Sequence, residues 1–441
     1  MKKFVRTLLG ITLAAALMLS GCSSTVASSQ TSVAPTDGGP AEIVFWTAFS
    51  LDSRIGEGVT QLVDGFNESQ DQYKVVVQPQ EGYAGIETKL TAALLANDVP
   101  DIVMITSQTL ERMYPTLESL ETLLSQETVD NLVDGLRSDA TYEGSLKAIP
   151  FNRSMPIMFV NKNLLATKGY TPEDIKSWDD VEKIAAEFSD AATDSYGFES
   201  LIPTEMWQFY SLVDQMGGTV FAEDGKSTTI QEPAVHIMTF LNGMMENGYM
   251  KNPAKIPGAQ AGDFDGDMVL LDDFYSGRTP MITLSTGYCG AISQETEGKF
   301  EPAAIVMPTW ADGTTAVKPG GGCLGITSAA SGEAKKGAAE FFEYLLSDES
   351  VYFMHTWTGY MPVTKSAASS EQMTAFWQEN PLFKAVGDQS QYVTPYERNA
   401  RAGEVETILI DYNNQIMLGE ATVEQAVESA VGEINDLLGK S

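Results

Sequence analysis

The chain has 441 residues, 43% of them hydrophobic, and sets 60 acidic residues against 27 Lys and Arg for a formal charge of −33 at pH 7. A surface of that sign repels nucleic acid and anionic lipid, which excludes both as partners held by charge. Three cysteines are too few for a disulfide scaffold, and no run beyond the N-terminus is apolar enough to span a bilayer, so the length is available for two lobes with proper cores.

Lys2, Lys3 and Arg6 precede an apolar stretch at 8–19 that is too short to cross a membrane as a helix, and residues 1–21 read as a signal peptide. Leu19-Ser20-Gly21-Cys22 resembles the bacterial lipobox, which implies cleavage before Cys22 and acylation of its sulfur. Removing Lys2, Lys3 and Arg6 with no acid would take the formal charge from −33 to about −36. Two or more acyl chains anchor a protein stably, so the expected location is extracytoplasmic, held on the cell membrane by lipid. Residues 22–41 then read as the lipidated cysteine and a flexible tether of Ser, Thr, Gly and Pro.

The fold starts at "EIVFWTAF" (42–49), a β-rich run, followed by Ile55, Val59, Leu62, Val63 and Phe66 at helical spacing. The strand "YKVVVQ" (73–78) comes next, then Ile86, Leu90, Ala93 and Leu94 on one helical face, then the strand "DIVMIT" (101–106). This β-α-β-α-β order predicts a parallel sheet, with ligands favouring the carboxyl ends of its strands. "LKAIPFNRSMPIMFVNK" (146–162), two β-like runs around a proline-bounded polar knot, predicts a crossing between lobes. Ser177 with Asp180 three residues on predicts the start of a helix over "WDDVEKIAAEF". Strands are expected at "TPMITL" (279–284), "EPAAIVMP" (301–308) and the glycine-rich "GGGCLGITS" (320–328), and the last third reads helical.

Catalytic signatures are absent: there is no G-x-S-x-G, no P-loop, no dinucleotide fingerprint and no H-E-x-x-H. His236 and His355 lack a second ligand at metal spacing and read as structural, so neither a metal nor a cofactor is expected. "DFDGDMVLLDD" (263–273) misplaces the glycine of a calcium loop and puts Phe274 at its twelfth position; it reads as a solvated acidic turn leading into a helix. Cys289 and Cys323 read as small core residues, with a bridge between them as the alternative. Polar and aromatic residues gather at segment ends: around Tyr83, at "FNRS" (151–154), "TEMWQFY" (204–210), "STGY" (285–288), "GGGC" (320–323) and "TWTGYMPVT" (356–364). Small polar solutes need such a mixture, because flat rings pack against C–H groups while hydroxyls and backbone amides bond oxygens.

This pattern resembles the family 1 extracellular solute-binding proteins of ABC importers, and among them the glycerol-3-phosphate-binding and carbohydrate-binding members. The resemblance is carried by "FNRSMPIMFVNK" (151–162), "SWDDV" (177–181), "FYSGRTPM" (274–281), "GGGCLGI" (320–326), "TGYMPVTKSA" (358–367) and "RAGEVETIL" (401–409). It implies an α/β, two-lobe, periplasmic-binding-protein-like (type II) fold that closes over a solute about hinge crossings. Lobe 1 is expected at 42–151 and about 281–325, and lobe 2 at 152–280 and about 326–441, with the C-terminal helices able to return to lobe 1. The resemblance further implies a ligand set of Tyr83, Ser154, Ser285, Gly321 or Gly322, Tyr360 and Arg401, with Trp207 as a stacking wall and Arg401 as the anion clamp. Ser107 stands where the glycerol-3-phosphate binders carry a glutamate, which implies an altered polyol end of the ligand. A monomer that delivers its solute to ABC permease subunits is expected, with no cofactor. A lipid-anchored glycoside hydrolase using two of the acids, or a surface adhesin, stays open as an alternative; an enclosed cleft between lobes separates the first reading from an adhesin's flat apolar patch.

Overall fold

The alternating apolar run forms β1 (Ala41–Thr47), which buries Ile43, Phe45 and Thr47. Ser53 starts the helix Arg54–Ser69 by accepting a hydrogen bond from the Gly56 amide at 3.1 Å, and Val59, Leu62, Val63 and Phe66 bury one face of it. β2 (Tyr73–Pro79), the helix Gly82–Ala96 and β3 (Ile102–Ile105) follow, with β3 buried along its whole length. The computed structural model describes residues 39–96, 98–259, 264–310 and 313–439; the expected leader, Cys22, the tether as far as residue 38 and Asp263 of the acidic run lie outside them.

A short hairpin of β4 (Thr141–Tyr142) and β5 (Ser145–Leu146) leads into β6 (Ile149–Ser154), and one residue later the chain enters β7 (Pro156–Asn161). β8 (Glu199–Ser200), β9 (Met281–Ser285), β10 (Pro302–Ile305) and β11 (Gly320–Ile326) complete the strands among the described residues. The first sheet runs β2-β1-β3-β11-β6 and the second β10-β7-β9-β8. β6 and β7 therefore sit in different sheets, and the proline-bounded knot passes from one to the other at Met155.

Two expectations need correction. The first sheet is parallel only over β2-β1-β3; β11 runs antiparallel to both β3 and β6, because it arrives from the second half of the molecule and needs no helical crossover. The strand pair at 281–305, expected with the first lobe, pairs instead with β7: Met281–Ser285 and Pro302–Ile305 flank it on either side, both antiparallel. β7 and most of β9 are buried and apolar, and each satisfies its backbone groups with a neighbour on either edge, β7 between β10 and β9, and β9 between β7 and β8.

The helix Gly332–Leu345 returns to the first sheet, where Phe341 meets Phe66 and Phe45 at ring centroid distances of 5.1 and 6.3 Å. The last two helices, Ala402–Met417 and Val423–Leu438, stay with the second half, against the helix Gln231–Glu246. The second core is built on Trp178, at the start of a helix that Ser177 and Asp180 cap reciprocally, packed against Phe198, Phe240 and Trp310 at 6.1, 6.0 and 5.8 Å. Cys289 and Cys323 are both free and buried.

Candidate functional site

The carboxyl ends of β1 and β3 and the helix following β2 form one wall of a cavity of about 230 Å³. That wall carries Phe49 beyond β1, Tyr83 and Glu87 on the helix Gly82–Ala96, and Gln108 and Arg112 on the helix Ser107–Met113. The facing wall comes from the second half: Glu205, Trp207 and Gln208 around the start of the helix Met206–Gln215, Phe264 and Asp267 around that of Asp265–Tyr275, and Ser285 at the end of β9 with Tyr288 just beyond it. Ser154 at the end of β6, Gly320 and Gly321 at the start of β11, Tyr360, and Glu406 from the helix Ala402–Met417 close the floor.

Two glycines shape this lining. Gly321 has φ +80°, and a Cβ there would stand 1.7 Å from the Asn152 carbonyl oxygen, so only a bare backbone can make the β11 bulge that faces the cavity. At Gly403 a Cβ would lie 2.1 Å from Nη1 of Arg112, and its absence admits the guanidinium. Arg112 pairs with Glu87, which also accepts from Thr109 Oγ1 at 3.0 Å. Glu205 accepts from Trp207 Nε1 at 2.8 Å and Asp267 from the Tyr288 hydroxyl at 2.7 Å, so the carboxylates orient the aromatic side chains beside them.

Two polar atoms on the lining are buried without a hydrogen-bond partner among the described residues: Tyr83 Oη and Gln208 Oε1. Gln208 as a residue is 1% exposed. Leaving such an atom unpaired costs about 1–3 kcal/mol, which folding tolerates where a ligand supplies the missing bond. Burial holds the phenols of Tyr83, Tyr288 and Tyr360 above their ordinary range, as neutral donors. Burial also pushes Glu406 up to about 7, against the pull of Arg112 and a hydrogen bond with Gln108.

Tyr360 is held from behind. Trp377 Nε1 donates to His355 Nε2 at 2.8 Å, which leaves the ring proton on Nδ1 to donate to the Tyr360 carbonyl at 2.7 Å. Burial presses His355 down to about 4, so the ring stays neutral and structural.

Of the expected site residues, Tyr83, Ser154, Trp207, Ser285, Gly321 and Tyr360 line the cavity together. Gly322 sits behind them, where a Cβ would meet Tyr83 Oη at 3.1 Å. Ser107 turns away and donates to Asp139, the buried partner of Arg153. Arg401 does not reach the cavity: it precedes the helix Ala402–Met417 and pairs with Glu404 at 2.7 Å on the surface, 39% exposed. The acidic run is not solvated throughout, since Asp267 lines the cavity and Asp273 is buried with Lys251 and Arg278. Gln208, Glu205, Glu406, Phe49 and Phe264 stood inside quoted stretches without being singled out as ligands; Arg112 carries no signal in the sequence at all.

The model of the family described as bacterial extracellular solute-binding protein matches residues 61–385. The chain is 26% identical over 426 residues to the sn-glycerol-3-phosphate-binding periplasmic protein UgpB of Escherichia coli strain K12, covering 90% of this chain and 92% of that one. Among solved structures it is similar to UgpB from Mycobacterium tuberculosis in complex with glycerophosphocholine, at a TM-score of 0.77 and 22% identity over 91% of this chain and 98% of that one. It is equally similar in fold to an ABC substrate-binding protein from Listeria monocytogenes in complex with cycloalternan, at a TM-score of 0.77 and 20% identity over 91% and 99%.

Proposed function

Because the chain belongs to the bacterial extracellular solute-binding proteins, which are receptors and not enzymes, we propose that it captures a small polyhydroxylated solute for an ABC importer, in the cavity between its two sheets. The observation that carries this reading is the pair of unpartnered buried atoms, Tyr83 Oη and Gln208 Oε1, on a lining that also offers the Trp207 ring. A ring face takes the C–H side of a polyol while an amide oxygen and phenols take its hydroxyls. Solute bridging both walls would favour the closed arrangement by its differential affinity, and the closed form would dock on the permease. Cys22, acylated, would hold the receptor on the outer face of the membrane and raise its concentration near that permease. Replacing Cys22 by Ala should move the protein from the membrane fraction to the medium or periplasm.

A glycerol phosphate is the second reading, favoured by the likeness to UgpB over nine-tenths of both chains. Its phosphate would need Arg112, the basic residue on the lining among the described residues, to exchange Glu87 for the ligand. A thermal-shift and calorimetry panel on residues 23–441 tests both, with mono- and oligosaccharides, glycerol 3-phosphate and its diesters. Binding that Trp207→Ala removes and Arg401→Ala leaves intact supports the cavity as the site; binding lost only in Arg401→Ala would refute it.

A further inference from the structure

Resting on that receptor reading, we infer that the solute is no larger than one sugar ring, and that the stacked pair Phe49 and Phe264 sets this limit. The cavity measures about 230 Å³, below the roughly 300–1,000 Å³ of pockets that take drug-sized ligands. At about 30 Å³ of liquid volume per water, its solute displaces about eight waters. A hexose, or an open-chain polyol of that size, fills such a space; a second joined ring has to lie outside it.

The limit holds because the lining cannot retreat. Three of its aromatic side chains are seated on glycines: Trp207 on Gly320, Tyr360 on Gly287 and Tyr83 on Gly322. A Cβ on these glycines would stand 3.0 Å from the Trp207 ring, 3.0 Å from the Tyr360 ring and 3.1 Å from Tyr83 Oη. Each ring therefore already rests on bare backbone, and it cannot give way to a bulkier solute unless a strand or turn moves. The end formed by Gln108, Tyr396 and Glu406 offers no extension either. The space behind those three residues is a second cavity of about 30 Å³, which takes one or two waters at about 10–15 Å³ each and no ring.

The boundary made by Phe49 and Phe264 differs, because the two rings come from different halves. They stack at 5.6 Å, and Tyr83 meets them edge-on at 6.0 and 6.3 Å. A solute that ends short of this group leaves the stack intact. One that passes between the rings forfeits the stack, and with it part of what favours the closed arrangement. The pair thus selects by size through a cost placed on the longer ligand.

The test is calorimetry of the mature chain with three series: D-glucose, maltose and maltotriose; D-galactose and lactose; glycerol 3-phosphate and glycerophosphocholine. In a series that binds, the shortest member should bind roughly tenfold more tightly than the longer ones. Phe264→Ala should shrink that ratio by about two- to tenfold, whereas a merely loosened fold would weaken short and long members alike. Phe49→Leu keeps an apolar side chain in the buried position and repeats the comparison from the other wall, so misfolding of one variant leaves the test intact. A longer member that binds as tightly as the shortest refutes the limit and leaves the receptor reading standing. A ratio unchanged in both variants refutes the role of the two rings. If no member of the panel binds, the small-polyol reading falls and the limit falls with it.

Discussion

Phe264 stacks on Phe49, with ring centroids 5.6 Å apart and planes 24° from parallel, so that the residue opening a helix of the second half rests on the residue just beyond β1 of the first. Tyr83 closes the group edge-on, at 6.0 Å from Phe49 and 6.3 Å from Phe264. Aromatic pairs of this kind contribute about 0.5–1.5 kcal/mol beyond area burial. Phe264→Ala should therefore weaken the closed arrangement and lower solute affinity by roughly two- to tenfold, with the radius of gyration of the free protein rising in small-angle scattering. An unchanged radius together with unchanged affinity would show that the contact does not hold the halves together.

Gln208 places an acceptor on the cavity wall that nothing among the described residues satisfies. Replacing it by Leu removes that unmet bond, and the free protein should melt at the same temperature or be up to about 1 kcal/mol more stable. The same variant should lose about tenfold in affinity, because the solute then lacks an acceptor. Differential scanning calorimetry with and without ligand measures both effects, and a drop in the melting point of the free form would mean that Gln208 serves the core and not the site.

His355 ties the Tyr360 carbonyl to Trp377 only while its ring is neutral. Its pKa is depressed from 6.5 to about 4 by burial, so the folded state binds the proton less well than the unfolded one. The stability this brings is fully present above about pH 6.5 and is lost as pH falls towards 4, by on the order of 3 kcal/mol. Urea denaturation of the protein and of His355→Gln at pH 7.5, 5.5 and 4.5 should show their difference shrinking towards acid pH. A difference independent of pH would remove the histidine from the acid response.

Glu199, wholly buried in β8 beside Asp273, is pushed up to about 9, mainly by burial and then by the charge of Asp273, against the pull of Lys251. Its proton is bound more tightly in the folded state, so its contribution is largest at acid pH and declines as pH rises through 9. Glu199→Gln keeps the shape and has no such proton. The variant should gain on the parent protein in unfolding free energy at each step from pH 6 to 8 to 9.5; a constant difference would show that Glu199 is ionised throughout.

Much of the architecture was legible because it is local. Ser177 and Asp180 cap the helix their spacing announces, and the proline-bounded knot at 150–156 marks the passage between sheets. Six of the expected ligand residues converge because they stand at or just beyond the ends of strands and helices, where the topology of an α/β sheet gathers side chains at one edge. The sheet membership of 281–305 was not legible: short apolar strands fit either sheet, and only their pairing with β7 chose.

By itself, then, the sequence determined the composition of the two cores, the caps, the crossing and the absence of any known catalytic signature, since each depends on residues close together in the chain. Tertiary structure alone decided which charges meet the solute. Arg401 is drawn off by Glu404, three residues on, while Arg112 enters the cavity through the gap left by Gly403, nearly three hundred residues away. Charge pairing acts over a few ångströms whatever the separation along the chain, and no spacing rule reports it.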